Sequence, residues 1–285
     1  MRRVRPVSSG VGRRVLGILV VIGLLVTGAA FGVRSLMDRV DLPSSVQAEC
    51  DLANSPYSIS TEQAANAATI AAVATGRELP DRAVTIALAT ALQESKLVNL
   101  EYGDRDSVGL FQQRPSQGWG SVGQILDPRY AAGKFYDALV KVPGWQRLRL
   151  TEAAQKVQAS GHPNAYQQWE DQAGVLARAF TGAEPALLSC RFPEPTVAAA
   201  PAKVLQLLSL ELAHTRLTAT GQAAELRTTE PWATVGWLVA KADRLGIEAV
   251  ELDGRRWTRS DGWRLDGTAP ADRVRFEVAQ VPPSA

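Results

Sequence analysis

An uncharged run of nineteen residues, Val15 to Val33, constrains this chain more than any other stretch. Rich in Leu, Ile and Val, it would span roughly 28 Å as a helix, close to the hydrocarbon thickness of a bilayer. The basic tail before it, residues 1–14, carries Arg2, Arg3, Arg5, Arg13 and Arg14 and no acid. Such a tail stays cytoplasmic, so the chain from about residue 35 onward is expected to face outward. The competing reading is a cleaved signal peptide cut near Gly28-Ala29-Ala30. The run is longer than the usual apolar core of about 7–15 residues in such peptides, which favours a retained single-pass anchor. The expected localisation is the cell membrane, held through residues 15–33, with the later domains extracytoplasmic, or secreted if the segment is cleaved.

That address bears on the cysteines. Only Cys50 and Cys190 are present, and in an oxidising compartment an even pair reads as a disulfide rather than two buried thiols. Closing so long a loop would stabilise by at most about 4–5 kcal/mol in the chain-entropy model. Two Cys and two His (His162, His214) form no cluster with zinc-ligand spacing, so neither metal nor cofactor is expected. Charge excludes another class. Residues 1–49 carry seven Arg against three acids, residues 50–190 carry 12 basic and 14 acidic side chains, and the rest 12 of each. The folded parts are not basic, and no nucleic-acid footprint is visible. An apolar content of 46% is enough for a core.

Taken in order, residues 34–59 read as a membrane-proximal stalk. Ser60 with Gln63 forms a capping-box signature for a helix through Ala64–Ala74, stopped at Gly76. The next helix opens at Pro80, and Val84, Leu88, Ala91 and Leu92 make one apolar stripe. Glu94 stands at its C-terminal end, where the helix dipole opposes a negative charge and disfavours ionisation. Residues 99–120 form a long irregular connection, which in a compact domain is usually functional. Asp127-Pro128 begins a helix with Tyr130, Phe135, Leu139 and Val140 on its apolar side. Thr151–Gln158 is a short helix, and Asn164 caps a longer one from Ala165 to about Phe180. Residues 191–201 are a Pro/Ala-rich linker. Residues 202–285 read as a small α+β module: a helix over 202–219, another from Pro231 to Gly246, then Ile247–Leu252, a turn at Asp253-Gly254, Arg255–Thr258, Trp263–Leu265 and Val274–Val281 as strands. The expected fold class is mainly α: a transmembrane helix, an α-helical domain over 60–190, and the α+β module.

The motif Gln93-Glu94-Ser95, followed by Ser107-Val-Gly-Leu-Phe-Gln112 and Pro115, resembles the lysozyme-like domain of soluble lytic transglycosylases over roughly residues 60–182. The resemblance implies that Glu94 is a single catalytic acid/base acting on peptidoglycan glycan strands. Glu94 would protonate the glycosidic oxygen between N-acetylmuramic acid and N-acetylglucosamine. It would then take the proton of the muramyl 6-hydroxyl, which closes onto C1 to give a 1,6-anhydro product. Ser95 would orient Glu94 or a substrate N-acetyl group, Gln112 would hydrogen-bond the sugar, and Gly109 permits a close backbone approach. Gln113 and Asp106 belong to the same candidate substrate-binding set, and Tyr102 and Trp119 are loop aromatics suited to stacking on sugar faces. The family's Ala-Tyr-Asn-Ala-Gly motif, whose tyrosine contacts the acid, is absent. Its nearest match, Ala153–Ser160, puts Gln155 in the tyrosine's place, with Tyr166 or Tyr102 as substitutes.

Two alternatives stand beside this reading. One is a muramidase using Asp104 or Asp106 as a second carboxylate, although such residues commonly serve as loop-stabilising turns. An EF-hand reading of Asp104–Gly109 fails because Pro115 falls at the bidentate position. The other is a non-catalytic wall-binding or scaffold protein that keeps a lysozyme-like fold. The C-terminal module, through Gly236–Ile247, Asp253–Trp257 and Gly262-Trp263, resembles a small α+β domain at the ends of secreted actinobacterial wall proteins. There Trp257 and Trp263 either bind a partner or pack on the 231–246 helix.

Overall fold

The computed structural model describes residues 48–160, 164–212, 216–220 and 223–280. The apolar run at 15–33 and the basic tail lie outside them, as do His162 and His214. Among the described residues no helix is long and apolar enough to cross a membrane.

Two short strands open the folded chain, β1 (Glu49–Leu52) and β2 (Ser58–Ser60), followed by α1 (Thr61–Thr75) and α2 (Asp81–Ser95). Ser60 caps α1 through the Gln63 amide, and the Gln63 side chain accepts in return from the Ser60 amide. Gly76 follows α1 in an ordinary right-handed conformation, so it is not the left-handed stop that its position suggests; that role falls to Glu78, with φ 55°. Pro80 stands just outside α2 rather than in its first turn. Both helices are dense in alanine, and α2 buries Ala83, Val84, Ile86, Ala87, Leu88, Ala89, Ala91 and Leu92.

After the irregular segment come α3 (Val122–Ile125), α4 (Pro128–Leu139), α5 (Leu150–Gln158) and α6 (Glu170–Thr181). The apolar side of α4 is Ala131, Ala132, Phe135, Tyr136 and Leu139. Val140 is instead exposed, and Tyr136 is buried with its hydroxyl donating to the Ile70 carbonyl. Asn164 does not open the long helix: a 3-10 turn at Gln167–Trp169 precedes α6. Helix α6 packs along α2, and α1 lies against both.

Strand β3 (Leu188–Arg191) then returns to pair antiparallel with β1, which is central in the order β2-β1-β3. Cys50 faces Cys190 across that pair and the two are joined as a disulfide. Beyond it lie α7 (Pro201–Glu211), β4 (Arg216–Thr220), β5 (Ala223–Arg227), α8 (Pro231–Ala240), α9 (Ala242–Leu245), β6 (Ile247–Leu252), β7 (Arg255–Thr258), β8 (Gly262–Leu265) and β9 (Val274–Val278). The last six strands make one antiparallel sheet, β4-β5-β9-β6-β7-β8.

The mainly α expectation is therefore wrong. The described chain carries two antiparallel sheets, and the smaller joins β1 and β2, from the segment expected to be a stalk, to β3 at the end of the segment expected to be helical. Strands of three or four residues are too short to show a period-2 pattern, and β3 is defined by a partner far away in the chain. The helix expected over 202–219 ends at Glu211, and Arg216–Thr220 is strand β4, paired with β5. Its composition, with two Thr in five residues, suits a pleated strand.

The helical part and the C-terminal sheet share a core. The Trp257 indole donates to the Cys190 carbonyl at 3.0 Å and the Trp263 indole to the Leu188 carbonyl at 2.7 Å, both on β3. Gly262 is needed there: its φ is +72°, and a Cβ would come 2.5 Å from Ser189 Oγ. The Pro/Ala-rich segment is pinned rather than free. Phe192 is buried, and the buried Arg259 guanidinium donates to the Pro193, Ala242 and Ile247 carbonyls and pairs with Asp243. A second tie is polar: Lys241 at the end of α8 donates to Thr69 of α1 at 2.7 Å and pairs with Glu211 at 3.2 Å. Burial lowers the Lys241 pKa, and the Glu211 charge opposes that.

Candidate active site

Helix α2 delivers Glu94 and then stops abruptly. Lys96 and Leu97, neither of them glycine, both take the left-handed conformation, with φ 57° and 62°. Two such residues in succession cost roughly 1–2 kcal/mol each. The turn is held by α1: the Gln63 amide donates to the Lys96 carbonyl and the Asn66 amide to the Leu97 carbonyl, each at 2.8 Å. The Leu97 side chain is fully buried. The position of Glu94 is thus set by packing on both sides of the helix end, not by helix propensity.

Ser95, buried beside it, fastens the helix end to the irregular segment, its hydroxyl 2.8 Å from the Leu110 carbonyl and 3.1 Å from that of Ala91. That segment is tightly built. Val108 and Gln113 exchange backbone hydrogen bonds of 3.0 and 3.1 Å around a turn at Gly109–Gln112. Gly109 has φ +80°, and a Cβ there would lie 2.9 Å from the Ile125 carbonyl. Phe111 is buried and stacks on Phe135 at 4.8 Å.

Two further side chains converge on Glu94. The Tyr166 hydroxyl donates to Glu94 Oε1 at 2.7 Å. The Gln158 amide lies 3.2 Å from the same oxygen and donates at 2.8 Å to the Phe111 carbonyl. Among the described residues Oε2 has no hydrogen-bond partner. Tyr166 is 1% exposed. Burial raises its pKa, the Glu94 charge adds to this and a hydrogen bond with Ser160 opposes it, so at neutral pH the phenol is a donor. On the neighbouring side Gln93 accepts from the Trp169 indole at 2.9 Å and from Gln168 at 3.1 Å. The Lys96 ammonium lies 4.1 Å from the Trp169 ring centroid. Its pKa is lowered by burial, with the Glu94 charge acting the other way.

The structure brings Tyr166 onto Glu94, while Ser95 gives its hydroxyl to the Leu110 and Ala91 carbonyls; the remaining sequence candidates do other things. Gln155 is turned away from Glu94 and donates to the Ser160 carbonyl at 2.6 Å. Gln158, one turn further along α5, stands at the carboxylate instead. Gln112 folds back on its own loop, its amide near the Gly109 and Tyr102 carbonyls at 3.2 and 3.3 Å. Gln113 is buried and donates to the Ala131 carbonyl. Tyr102 is exposed, and Trp119 is half-buried against the core in the loop leading to α3.

Asp104 is almost fully exposed. Asp106 ties the loop, accepting from the Ser116 amide at 2.8 Å, the Ser116 hydroxyl at 3.0 Å and Arg114 at 2.7 Å. These bonds, the Ser116 amide foremost, hold its carboxyl well below the usual carboxylate range.

Gln158 escaped the sequence reading because the Ala153–Ser160 register pointed to Gln155. The available signal was its place as the last residue of a short amphipathic helix, where a side chain reaches past the helix end. Lys96 and Trp169 carried no signal at all. Among the described residues no group of three or more His, Cys, Asp or Glu could hold a metal ion. No protein-family model matches the chain, and no curated protein matches it in sequence.

Proposed function

We propose that this chain is a membrane-anchored, extracytoplasmic lytic transglycosylase that cleaves the N-acetylmuramyl–N-acetylglucosamine bond of peptidoglycan, with Glu94 as its single acid/base. The observation that carries the reading is the Glu94 carboxylate: two donors hold Oε1, no described residue bonds Oε2, and the Gly109–Phe111 turn lies beside it through Ser95 and Gln158. The lysozyme-like motif and the apolar run at 15–33 supply the substrate class and the address; both rest on the sequence alone.

In this reading protonated Glu94 gives its proton to the glycosidic oxygen as the C1–O4 bond breaks. The carboxylate then accepts the proton of the muramyl 6-hydroxyl while O6 bonds to C1. No water is consumed, and the product is a 1,6-anhydro sugar. Tyr166 and Gln158 serve the step in which Glu94 is an anion, because a hydrogen bond to a charged acceptor is about twice as strong as one to a neutral acceptor. A second carboxylate is not required, and Asp106 is a poor candidate for one, since its oxygens are taken up by Ser116 and Arg114.

The test is product analysis by mass after the purified full chain is incubated with peptidoglycan. Anhydro-ended muropeptides that disappear in Glu94→Gln and persist in Asp106→Asn are the expected result. Reducing ends would replace the transglycosylase by a hydrolase. Binding without turnover in the wild-type chain would leave a wall-binding scaffold.

A further inference from the structure

A groove of about 610 Å³ lies between the loop at Gln117–Trp119, helix α4, the turn at Val142-Pro143 and helix α5. It contains neither Glu94 nor Tyr166. One side is apolar: Trp119, Ala138, Val142 and Pro143. The other is cationic: Lys134 on α4, Lys141 in the turn just past the end of that helix, and Lys156 on α5.

The one acid in the lining, Asp137, is taken up by Arg77, which also donates to the Gly133 carbonyl at 2.7 Å. Glu152, one turn before Lys156, is paired with Arg149 at 2.8 Å. Among the described residues none of the three lysines forms an ion pair, and Lys134 rests over the Tyr130 ring, 5.4 Å from its centroid. The groove therefore presents three ammonium groups and an indole, with the nearby acids Asp137 and Glu152 paired to Arg77 and Arg149 and the Glu152 charge also felt by Lys156. The wall is fixed in place: Gly120, with φ +133°, lets the loop pass over Tyr130, where a Cβ would lie 2.6 Å from the phenol oxygen.

We infer that this groove binds the carboxylate-bearing peptide branch of the glycan that Glu94 acts on, an inference that rests on the function proposed above. An acidic peptide suits both sides of it, with carboxylates on the lysines and aliphatic side chains on Trp119, Val142 and Pro143. A phosphodiester polymer would use only the first. The groove and the candidate active site share two elements of the chain. The loop that forms the Gly109–Gln113 turn beside Glu94 runs on into Trp119, and α5 sends Gln158 to Glu94 and Lys156 to the groove. Lys156 and Gln158, two residues apart, lie on different sides of α5, so the peptide branch of glycan held at Glu94 would reach the groove by passing around that helix.

The experiment measures binding by the full chain carrying Glu94→Gln, so that glycan stays intact. The probes are glycan strands bearing peptide stems, the same strands stripped of stems by an amidase, and poly(glycerol phosphate). The expected result is about tenfold tighter binding of the stem-bearing strands, since each of three exposed pairs contributes at most about fivefold. That preference should vanish when Lys134→Gln, Lys141→Gln and Lys156→Gln are combined, and should be retained by the three Lys→Arg changes, which control for folding. Equal affinity for both glycans, or a preference that survives the three Gln changes, overturns the inference. Tighter binding of the phosphate polymer than of stem-bearing glycan overturns the choice of ligand. If the wild-type chain still makes anhydro products, such failures leave the proposed function standing; absence of both glycan binding and turnover removes both.

Discussion

Removing one oxygen, in Tyr166→Phe, tests how the carboxylate is used. The phenol touches Glu94 Oε1 at 2.7 Å and the ring is buried, so phenylalanine keeps the packing and removes the donor to Glu94 along with the hydroxyl's hydrogen bond to Ser160. In the proposed reaction the acid form of Glu94 gives this hydrogen bond a neutral acceptor, worth about 0.5–1.5 kcal/mol net; once the proton has passed to the glycosidic oxygen the acceptor is charged, and the bond is worth about 1.5–3 kcal/mol. The difference, about 1–1.5 kcal/mol, is stabilisation realised only as the proton leaves. At 1.36 kcal/mol per tenfold it predicts a kcat about 5- to 15-fold lower. The fall has a ceiling because Gln158 still faces the same oxygen at 3.2 Å. The phenol meets the acid and not the sugar, so KM should hold. The assay is initial-rate release of soluble muropeptides at several peptidoglycan concentrations, with a melting curve to show that the variant is folded. A raised KM at constant kcat would mean that Tyr166 binds substrate and would refute the reasoning. So would a loss of three orders of magnitude, which would make the phenol itself the proton carrier.

Two further outcomes follow from the same geometry. Ser95→Ala leaves the buried Leu110 carbonyl without its side-chain donor, and should cost about 1–3 kcal/mol of stability, read as a lower denaturant midpoint at unchanged slope. Replacing Cys50 and Cys190 together by Ser opens a closure of 140 residues and should destabilise by at most about 4–5 kcal/mol. A midpoint equal to that of the oxidised wild-type chain would mean that the Trp257 and Trp263 bonds to β3 hold the sheet without the disulfide.

Much of the helical framework was legible in the residues. The stripe of Val84, Leu88, Ala91 and Leu92 defines α2 and places Glu94 at its end, and the Ser60–Gln63 pair and Asp127-Pro128 mark two helix starts, because caps and periodicity are local. Compartment and even count pointed to the Cys50–Cys190 bond that the structure holds. The strands β1, β2 and β3 were not legible. They are short: β2 pairs only with its chain neighbour β1, and β1 meets β3 from far along the chain, 140 residues away in the case of the cysteine pair. Strand β4 was lost to an over-extended helix because the two propensities compete there and pairing with β5 decides between them.

The candidate site divides in the same way. Sequence by itself determined that an acid ends an apolar helix and that a glycine turn follows it. Which residues meet that acid was decided only in three dimensions. Tyr166 comes from 72 residues away, and Gln158 rather than Gln155 faces Glu94 because the packing of α5 sets its rotation about the helix axis. Side-chain identity is written along the chain; the register in which two helices meet is a property of their shared core, and no local pattern encodes it.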